Sequence, residues 1–255
     1  MTNGGGARSV LLAGVATAGL VGFLGIRPTQ PWILWLTAFL CALAVDGIVR
    51  SHPRWDADEG PAASLVYVFL PALAVLGGGF FIDHAVDGYA RPASALLPAI
   101  GAGAIAYGEY HTVDFGSRLY GPMRLWLAVA TYLTAFALYT VIYVKDFELP
   151  FAAFLVAVVS MALSVELLRE SRLLGPSSIL VGLAIGVSLG ELRLALYFFP
   201  LDGLLAGALM IIGFYLATGL VHHLLDHDLE WSTTLEYLLV AAVGTAAVVV
   251  TRVFV

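Results

Sequence analysis

Long apolar runs follow one another along almost the whole chain, and short polar or proline-containing segments separate them. Each run holds about 17 to 25 residues, the length at which an α-helix crosses roughly 30 Å of hydrocarbon. The runs lack the alternation of apolar and polar positions that marks the strands of a transmembrane barrel. The pattern therefore predicts an all-α fold, a polytopic transmembrane helical bundle.

The apolar runs predict nine spans. In chain order they are residues 8–26, 32–49, 62–82, 93–110, 122–144, 150–168, 177–199, 203–225 and 232–254. The fourth is the weakest, because it is short and contains Pro98, Gly101, Gly103 and Gly108. Such residues are tolerated at membrane depth only where neighbouring helices cover the freed backbone groups. If the fourth segment is re-entrant, the count falls to eight.

Composition supports an integral membrane protein. Hydrophobic residues make up 60% of the 255 residues and charged residues 12%, whereas a soluble domain is roughly 25% charged. The longest polar stretch, Ser51 to Pro61, is only a loop. We therefore predict a single integral membrane domain over residues 1–255, with no separate soluble domain and with the lipid bilayer as its surroundings.

Basic residues near the helix ends predict the orientation. With a cytoplasmic N-terminus, seven of them fall on the cytoplasmic side and four outside. The positive-inside rule therefore favours a cell-membrane protein with its N-terminus in the cytoplasm and its C-terminus outside. The apolar core before Ala16-Thr17-Ala18 is too short for a signal peptide, so we expect an uncleaved first span.

Net charge and cysteine content exclude several classes of function. The net charge is −6, so we expect no nucleic-acid partner. The single cysteine, Cys41, lies inside the second predicted span, so neither an intrachain disulfide nor a cysteine metal site is expected. The remaining candidate partners are other membrane proteins.

The seventh predicted span contains two ionisable residues, Glu191 and Arg193. A charge at that depth costs about 2.5 to 3.5 kcal/mol on insertion scales, so it must face protein or water. Two residues differ by about 200° around a helix, so the two side chains diverge. Arg193 is close enough to the span's end to extend its aliphatic stem toward the outer surface. We therefore predict a buried polar site here, with Glu191 pointing into the bundle.

A glycine stripe in the same span indicates a close helix neighbour. Gly182, Gly186 and Gly190 recur every fourth residue, and small residues in this spacing let a second helix approach. That neighbour would also supply a partner for Glu191. The site is then either a structural polar contact or a site for a substrate, an ion or a proton.

A second polar group marks the predicted cytoplasmic ends of three helices. Its members are Asp46, Arg50, Glu109, His111, Glu166 and Arg169. The four-residue spacing from Asp46 to Arg50 and the three-residue spacing from Glu166 to Arg169 each allow an ion pair on one helix face. Charges that end helices in the headgroup zone explain the same pattern.

His223 and His227 are four residues apart, so they share one helix face and could bind one metal ion. A third ligand would come from another helix, and the predicted topology offers His111, with Glu109 as an alternative. The competing interpretation is that these histidines are solvated at the membrane interface.

Several short motifs in the C-terminal part resemble an uncharacterised bacterial family of polytopic integral membrane proteins. The motifs are Gly190-Glu191, the segment from Tyr197 to Leu201, Gly213-Phe214-Tyr215, Gly219 with His222 and His223, and Leu235-Glu236-Tyr237. The resemblance covers about residues 110 to 250. It implies the same architecture and the bacterial inner membrane, but it implies no reaction and no cofactor.

Three functional hypotheses remain. Only the enzyme hypothesis, given second, includes a candidate catalytic residue. The first is a non-enzymatic carrier, or an accessory subunit of a membrane assembly, with the polar site of Glu191 and Arg193. The second is an intramembrane metal-dependent hydrolase or lipid-modifying enzyme that uses His223, His227 and His111, with Glu109 as a candidate base. The third is a structural membrane scaffold.

Overall fold

The computed structural model describes residues 4–55, 61–145, 147–169, 176–199, 201–226 and 230–254, and in these ranges every regular element is a helix. The helices are α1 Gly4–Gly25, α2 Pro31–Arg50, α3 Pro61–Ala85, α4 Ala90–Ser94, α5 Leu96–Thr112, α6 Tyr120–Val144, α7 Leu149–Leu168, α8 Pro176–Leu196, α9 Gly203–Leu225 and α10 Trp231–Phe254. The predicted all-α fold is confirmed.

Proline sets two of the helix starts. Pro31 opens α2, and Pro150 is the second residue of α7. The first turn of a helix has no intrahelical partner for its N–H groups, so a residue without an N–H is tolerated there. Eight of the described helices, all except α4 and α5, are long and apolar enough to cross a membrane. The chain is therefore a multi-pass membrane protein.

Helix α5 corresponds to the weak fourth span, and its ends lie at opposite ends of the helices around it. At its start, Gly78 of α3 lies against Pro98. At its end, the ring of Tyr110 lies 4.7 Å from the ring of His52, which follows α2. The 17 residues of α5 rise about 25 Å, and the single turn of α4 precedes them. The segment is shorter than each of the eight candidate spans, so the described helices are compatible with eight or nine passes, and the ninth pass stays a prediction.

Contacts group the chain into two compact units, Met1–Thr134 and Ala135–Val255, with the boundary inside α6. In the first, which we call unit 1, α1 packs on α2 and α5, and α2 packs on α3. Leu20, Phe23 and Leu34 are fully buried at its centre. The prediction of one membrane domain over the whole chain stays a prediction.

In the second, which we call unit 2, the main helix pair is α7 with α8, and α9 follows on α8. The glycine stripe of α8 forms this contact. Gly186 lies against the backbone oxygen of Ala157, and Gly190 lies against the backbone oxygen of Ala153. The prediction that the stripe admits a close neighbour is confirmed, and the neighbour is α7.

Candidate functional site

Arg193 is a buried cation in unit 2. Its side chain is only 5% exposed, although it lies one turn before the end of α8. Its guanidinium carbon stands 4.5 Å from the centre of the Tyr143 ring, over the ring face. The Tyr143 hydroxyl donates a hydrogen bond to the backbone oxygen of Phe199, 3.2 Å away. A cation over a tyrosine face is worth about 0.5 to 2 kcal/mol, increasing as water is removed.

The prediction that Glu191 points into the bundle, with Arg193 extending outward, is wrong. Glu191 is exposed, on the same side of α8 as the exposed Val187 and Leu194. The two side chains do diverge, as their spacing requires, but the inward and outward roles are exchanged. A buried polar site at this position therefore consists of Arg193 without Glu191.

The sequence contained a signal for this assignment. At about 100° per residue, the mean direction of Gly182, Gly186 and Gly190 lies about 20° from the direction of Arg193. Glu191 lies about 140° from that same mean direction. Because the glycines mark the side facing the neighbouring helix, the stripe places Arg193 inside and Glu191 outside.

Hydroxyl groups line the interior of unit 2 between the helices. The hydroxyls of Tyr139 and Ser160 are hydrogen-bonded at 2.7 Å, and both residues are buried. Ser160 also lies 2.7 Å from the backbone oxygen of Val156, to which it donates. Thr140 is buried against Gly207 of α9, and within the described ranges its hydroxyl has no hydrogen-bond partner. Unit 2 thus has polar groups deep in its interior.

Glu166 and Arg169 lie at the end of the α7–α8 pair opposite to Arg193. The predicted ion pair is present, with Arg169 Nη1 donating to Glu166 Oε2 at 2.9 Å. The Glu166 side chain is 1% exposed and the Arg169 side chain 12%, so this pair is buried within the protein. Gly190, three residues before Arg193, packs on Ala153. Thirteen residues of α7 separate Ala153 from Glu166, or about 20 Å.

The polar groups of unit 2 therefore stand at successive depths. Arg193 lies toward one end of the α7–α8 pair, the Tyr139 and Ser160 hydroxyls lie between the ends, and Glu166 lies toward the other. Hydroxyl groups both donate and accept hydrogen bonds and can rotate to suit a partner. Polar groups thus occur at three depths of an otherwise apolar unit.

Unit 1 brings together its own members of the predicted cytoplasmic cluster at one end. Asp46 accepts a hydrogen bond from Arg50 Nε at 2.9 Å, and Arg50 Nη2 donates to Ser64 Oγ at 2.9 Å. Glu109 is fully buried in α5. The His111 and Tyr107 rings pack edge to face, with their centres 4.5 Å apart. Glu166 and Arg169, the other two predicted members, belong to unit 2.

His52 joins this end of unit 1 from the connection after α2. Burial lowers the pKa of His52, the charges of His111 and Arg54 lower it further, and Asp114 opposes them. The backbone N–H of Arg54 donates to His52 Nδ1 at 3.2 Å. An imidazole that accepts at Nδ1 must be unprotonated there, so the geometry and the shifted pKa both favour the neutral ring.

A buried ion pair between Asp83 and Arg91 was not predicted, since both residues lie at the predicted outer surface. Arg91 Nη2 pairs with Asp83 Oδ1, and the two side chains are 1% and 11% exposed. Arg124, another buried arginine of unit 1, is 7% exposed. Hydropathy alone does not predict that these two arginines are buried. Both lie near a helix end, where a charged residue is expected to be solvated.

The three residues of the predicted histidine metal site are not found together among the described residues. His223 packs against Tyr237 with ring centres 5.7 Å apart, and His222 Nε2 lies 3.4 Å from Asp226 Oδ2. His111 belongs to unit 1, and His227 lies outside the described residues. Among the residues that are described, no group of three or more His, Cys, Asp or Glu side chains could hold a metal ion. The site of His223, His227 and His111 stays a prediction.

Comparison with known proteins yields one family. The DUF5656 family, described as a protein of unknown function, matches residues 13–251. No curated protein and no solved structure matches the chain. The resemblance to an uncharacterised family is thus confirmed, and it extends from the C-terminal part into the N-terminal third. Because the match covers nearly the whole chain, this protein belongs to the DUF5656 family.

Proposed function

We propose that the protein is a non-enzymatic membrane carrier for a small anionic solute, with its path through the interior of unit 2. The observation that carries the proposal is the burial of Arg193, 5% exposed and seated on the Tyr143 ring. An arginine stays charged in any protein environment. Ionisable residues inside membrane helices typically mark the route of a substrate or an ion.

The arrangement supports an anion rather than a cation as the solute. Arg193 supplies the positive charge toward one end, and the buried Thr140 hydroxyl, which has no hydrogen-bond partner within the described ranges, can donate to a solute. At the other end Glu166 is neutralised by Arg169 at 2.9 Å, so its charge does not repel an anion strongly. Each group is modest by itself, and together they provide a positive charge and a hydroxyl donor.

Anion flux into proteoliposomes tests the proposal. Liposomes containing the purified protein and valinomycin are placed in iso-osmotic potassium chloride, nitrate, acetate or phosphate, and swelling is followed by light scattering. We expect faster swelling than in protein-free liposomes for at least one of these anions. Arg193→Gln should abolish the difference, whereas Arg193→Lys should retain part of it.

Glu191→Gln is the matched control, because Glu191 is two residues away on the same helix but exposed. It should swell at the wild-type rate. The carrier proposal fails if Arg193→Gln, folded and reconstituted to the same density, swells like the wild type. It also fails if none of the four anions distinguishes the wild type from protein-free liposomes.

An accessory subunit of a membrane assembly is the second candidate, and the exposure of Glu191 favours it. A carboxylate among exposed apolar side chains of a membrane helix needs a partner that neutralises it. Ser188, one turn earlier, is exposed on the same side. A basic residue on a partner membrane protein would satisfy Glu191. Co-purification should then be lost in Glu191→Gln and retained in Arg193→Gln, the reverse of the effects expected for a carrier.

The enzyme alternative requires a metal, since a bound zinc ion is what makes water nucleophilic near neutral pH. Elemental analysis of protein purified without chelators decides it. Stoichiometric zinc that disappears in His223→Ala would support a hydrolase, and metal-free folded protein would contradict it. If the Arg193, Glu191 and His223 variants all lose folded protein, the scaffold hypothesis is favoured instead.

We also propose residence in a bacterial inner membrane, with the N-terminus in the cytoplasm and the C-terminus outside. The nine passes that the sequence predicts place the two termini on opposite sides, and the basic residues supply the direction. A C-terminal alkaline phosphatase fusion should be active, and a C-terminal green fluorescent protein fusion should be dark. The opposite pair of results would contradict this orientation.

A further inference from the structure

An open apolar groove runs between α1 and α2 in unit 1, with a volume of about 440 Å³. Its floor contains the buried side chains of Leu12 and Ile48, and the exposed Leu11 and Val15 form one wall. The helices are antiparallel, so their approach continues beyond the groove, where Gly19 lies against Thr37. From Arg8 to Val15 the groove extends over about 10 Å of α1.

A single cation stands at one end of this groove. Arg8 lines it and is exposed, and it has no ion-pair partner among the described residues. Ser51 lines the same end, but its hydroxyl already donates to the backbone oxygen of Ile48 at 2.7 Å. The one acidic residue of α2, Asp46, is held by Arg50 at 2.9 Å. The charge available to an occupant of the groove is therefore that of Arg8.

Glycine keeps the groove open on the α2 side. Gly47 lines it, and a Cβ atom built on Gly47 would meet nothing within 4 Å. The groove is thus accessible from outside. It is apolar along its length and positive at the end where α1 begins and α2 ends.

From this combination we propose that the groove binds one phospholipid with an anionic headgroup. The phosphate lies at Arg8, and an acyl chain follows the apolar surface from Leu11 toward Val15. The charge at the groove end selects an anionic headgroup over a zwitterionic one, because a basic side chain near the membrane surface attracts anionic lipid. The apolar surface below it, about 10 Å long, can hold the first part of a hydrocarbon chain, which a soluble anion lacks.

Native mass spectrometry of the detergent-purified protein tests this site with two probes, dioleoylphosphatidylglycerol and dioleoylphosphatidylcholine, which share their acyl chains. The wild type should retain one molecule of phosphatidylglycerol in preference to phosphatidylcholine. Arg8→Gln should reduce that preference about fivefold, the factor that one cation contributes beside an anionic surface. Arg27→Gln, which removes the same charge at the opposite end of α1, should leave the preference unchanged.

A second pair of variants tests the groove itself. Gly47→Leu should reduce the retention of both lipids, because the new side chain fills the groove. Gly14→Leu makes the same change at an α1 glycine that is also exposed and also open, but outside the groove, so it should bind as the wild type does. Equal lipid preference in Arg8→Gln and Arg27→Gln, or equal retention in Gly47→Leu and Gly14→Leu, would overturn the proposal. Loss of preference accompanied by dimer formation would identify a second copy of the chain as the occupant instead.

Discussion

The ion pair between Asp83 and Arg91 makes the sharpest stability prediction. Arg91 is 1% exposed, and within the described ranges its Nε and Nη1 atoms have no hydrogen-bond partner. Its charge therefore depends on Asp83, whose side chain is 11% exposed. Asp83→Asn leaves the guanidinium buried and charged without its counter-ion. Breaking a buried pair in this way costs about 3 to 5 kcal/mol of unfolding free energy.

An exposed ion pair in the same unit provides the matched comparison. Arg50 and Asp46 lie 2.9 Å apart with side chains 42% and 28% exposed. Exposed pairs are worth about 0.2 to 1 kcal/mol, so Asp46→Asn should cost less than about 1 kcal/mol. Unfolding by sodium dodecyl sulfate in mixed micelles, followed by tryptophan fluorescence, measures both variants on one scale.

A double variant separates the pair from other effects of the substitution. Asp83→Asn with Arg91→Met removes both charges and keeps an apolar stem in the buried position. It should recover most of the stability that Asp83→Asn loses, because no uncompensated charge remains. If Asp83→Asn costs no more than Asp46→Asn, or if the double variant is as unstable as the two single losses added together, the pair does not stabilise unit 1 as argued.

Three further predictions use the same unfolding assay. Burial lowers the pKa of His52 in the folded protein, so the unfolded chain binds the proton first as pH falls through about 6.5. The unfolding free energy should therefore decrease more in the wild type than in His52→Gln. Equal pH dependence of the two proteins would contradict this. Gly186→Ala should cost about 1 to 3 kcal/mol by overpacking the α7–α8 contact, whereas Gly101→Ala, in open space, should cost nothing measurable. Tyr139→Phe should cost about 0.5 to 1.5 kcal/mol through the lost bond to Ser160, and a neutral result would exclude that bond as a stabilising contact.

The helices could be predicted closely because hydropathy reports depth along a helix axis. The predicted span 203–225 coincides with α9 Gly203–Leu225, and the predicted span 232–254 differs by one residue from α10 Trp231–Phe254. The fourth span was the exception, since 93–110 corresponds to α4 and α5 together. Its proline and glycines weaken the apolar signal that would distinguish a pass from a re-entrant segment.

The candidate site could be predicted only in part, because hydropathy says little about direction around a helix axis. In a bilayer the side facing lipid is as apolar as the side facing protein, so α8 has no clear amphipathic pattern that would orient Glu191 and Arg193. Spacing along one helix was sufficient for the pairs Asp46–Arg50 and Glu166–Arg169, which are both present. Contacts between helices, such as Asp83–Arg91 and Arg193–Tyr143, needed the fold.

The buried charges of this protein show why position along the chain cannot separate structural charges from solvated ones. Within the described ranges five charged residues are at most 7% exposed, and each lies in α4 or within about one turn of the end of a longer helix: Arg91, Glu109, Arg124, Glu166 and Arg193. A sequence interpretation assigns such residues to the headgroup zone, where substitution costs little. In the folded chain they are enclosed, and for Arg91 and Glu166, which pair with Asp83 and Arg169, neutralising one member leaves the other charged in a low-dielectric interior. Charge-neutralising substitutions at Arg91 and Glu166 should therefore lower stability far more than the same change at Arg27, which lies equally close to a helix end but is exposed.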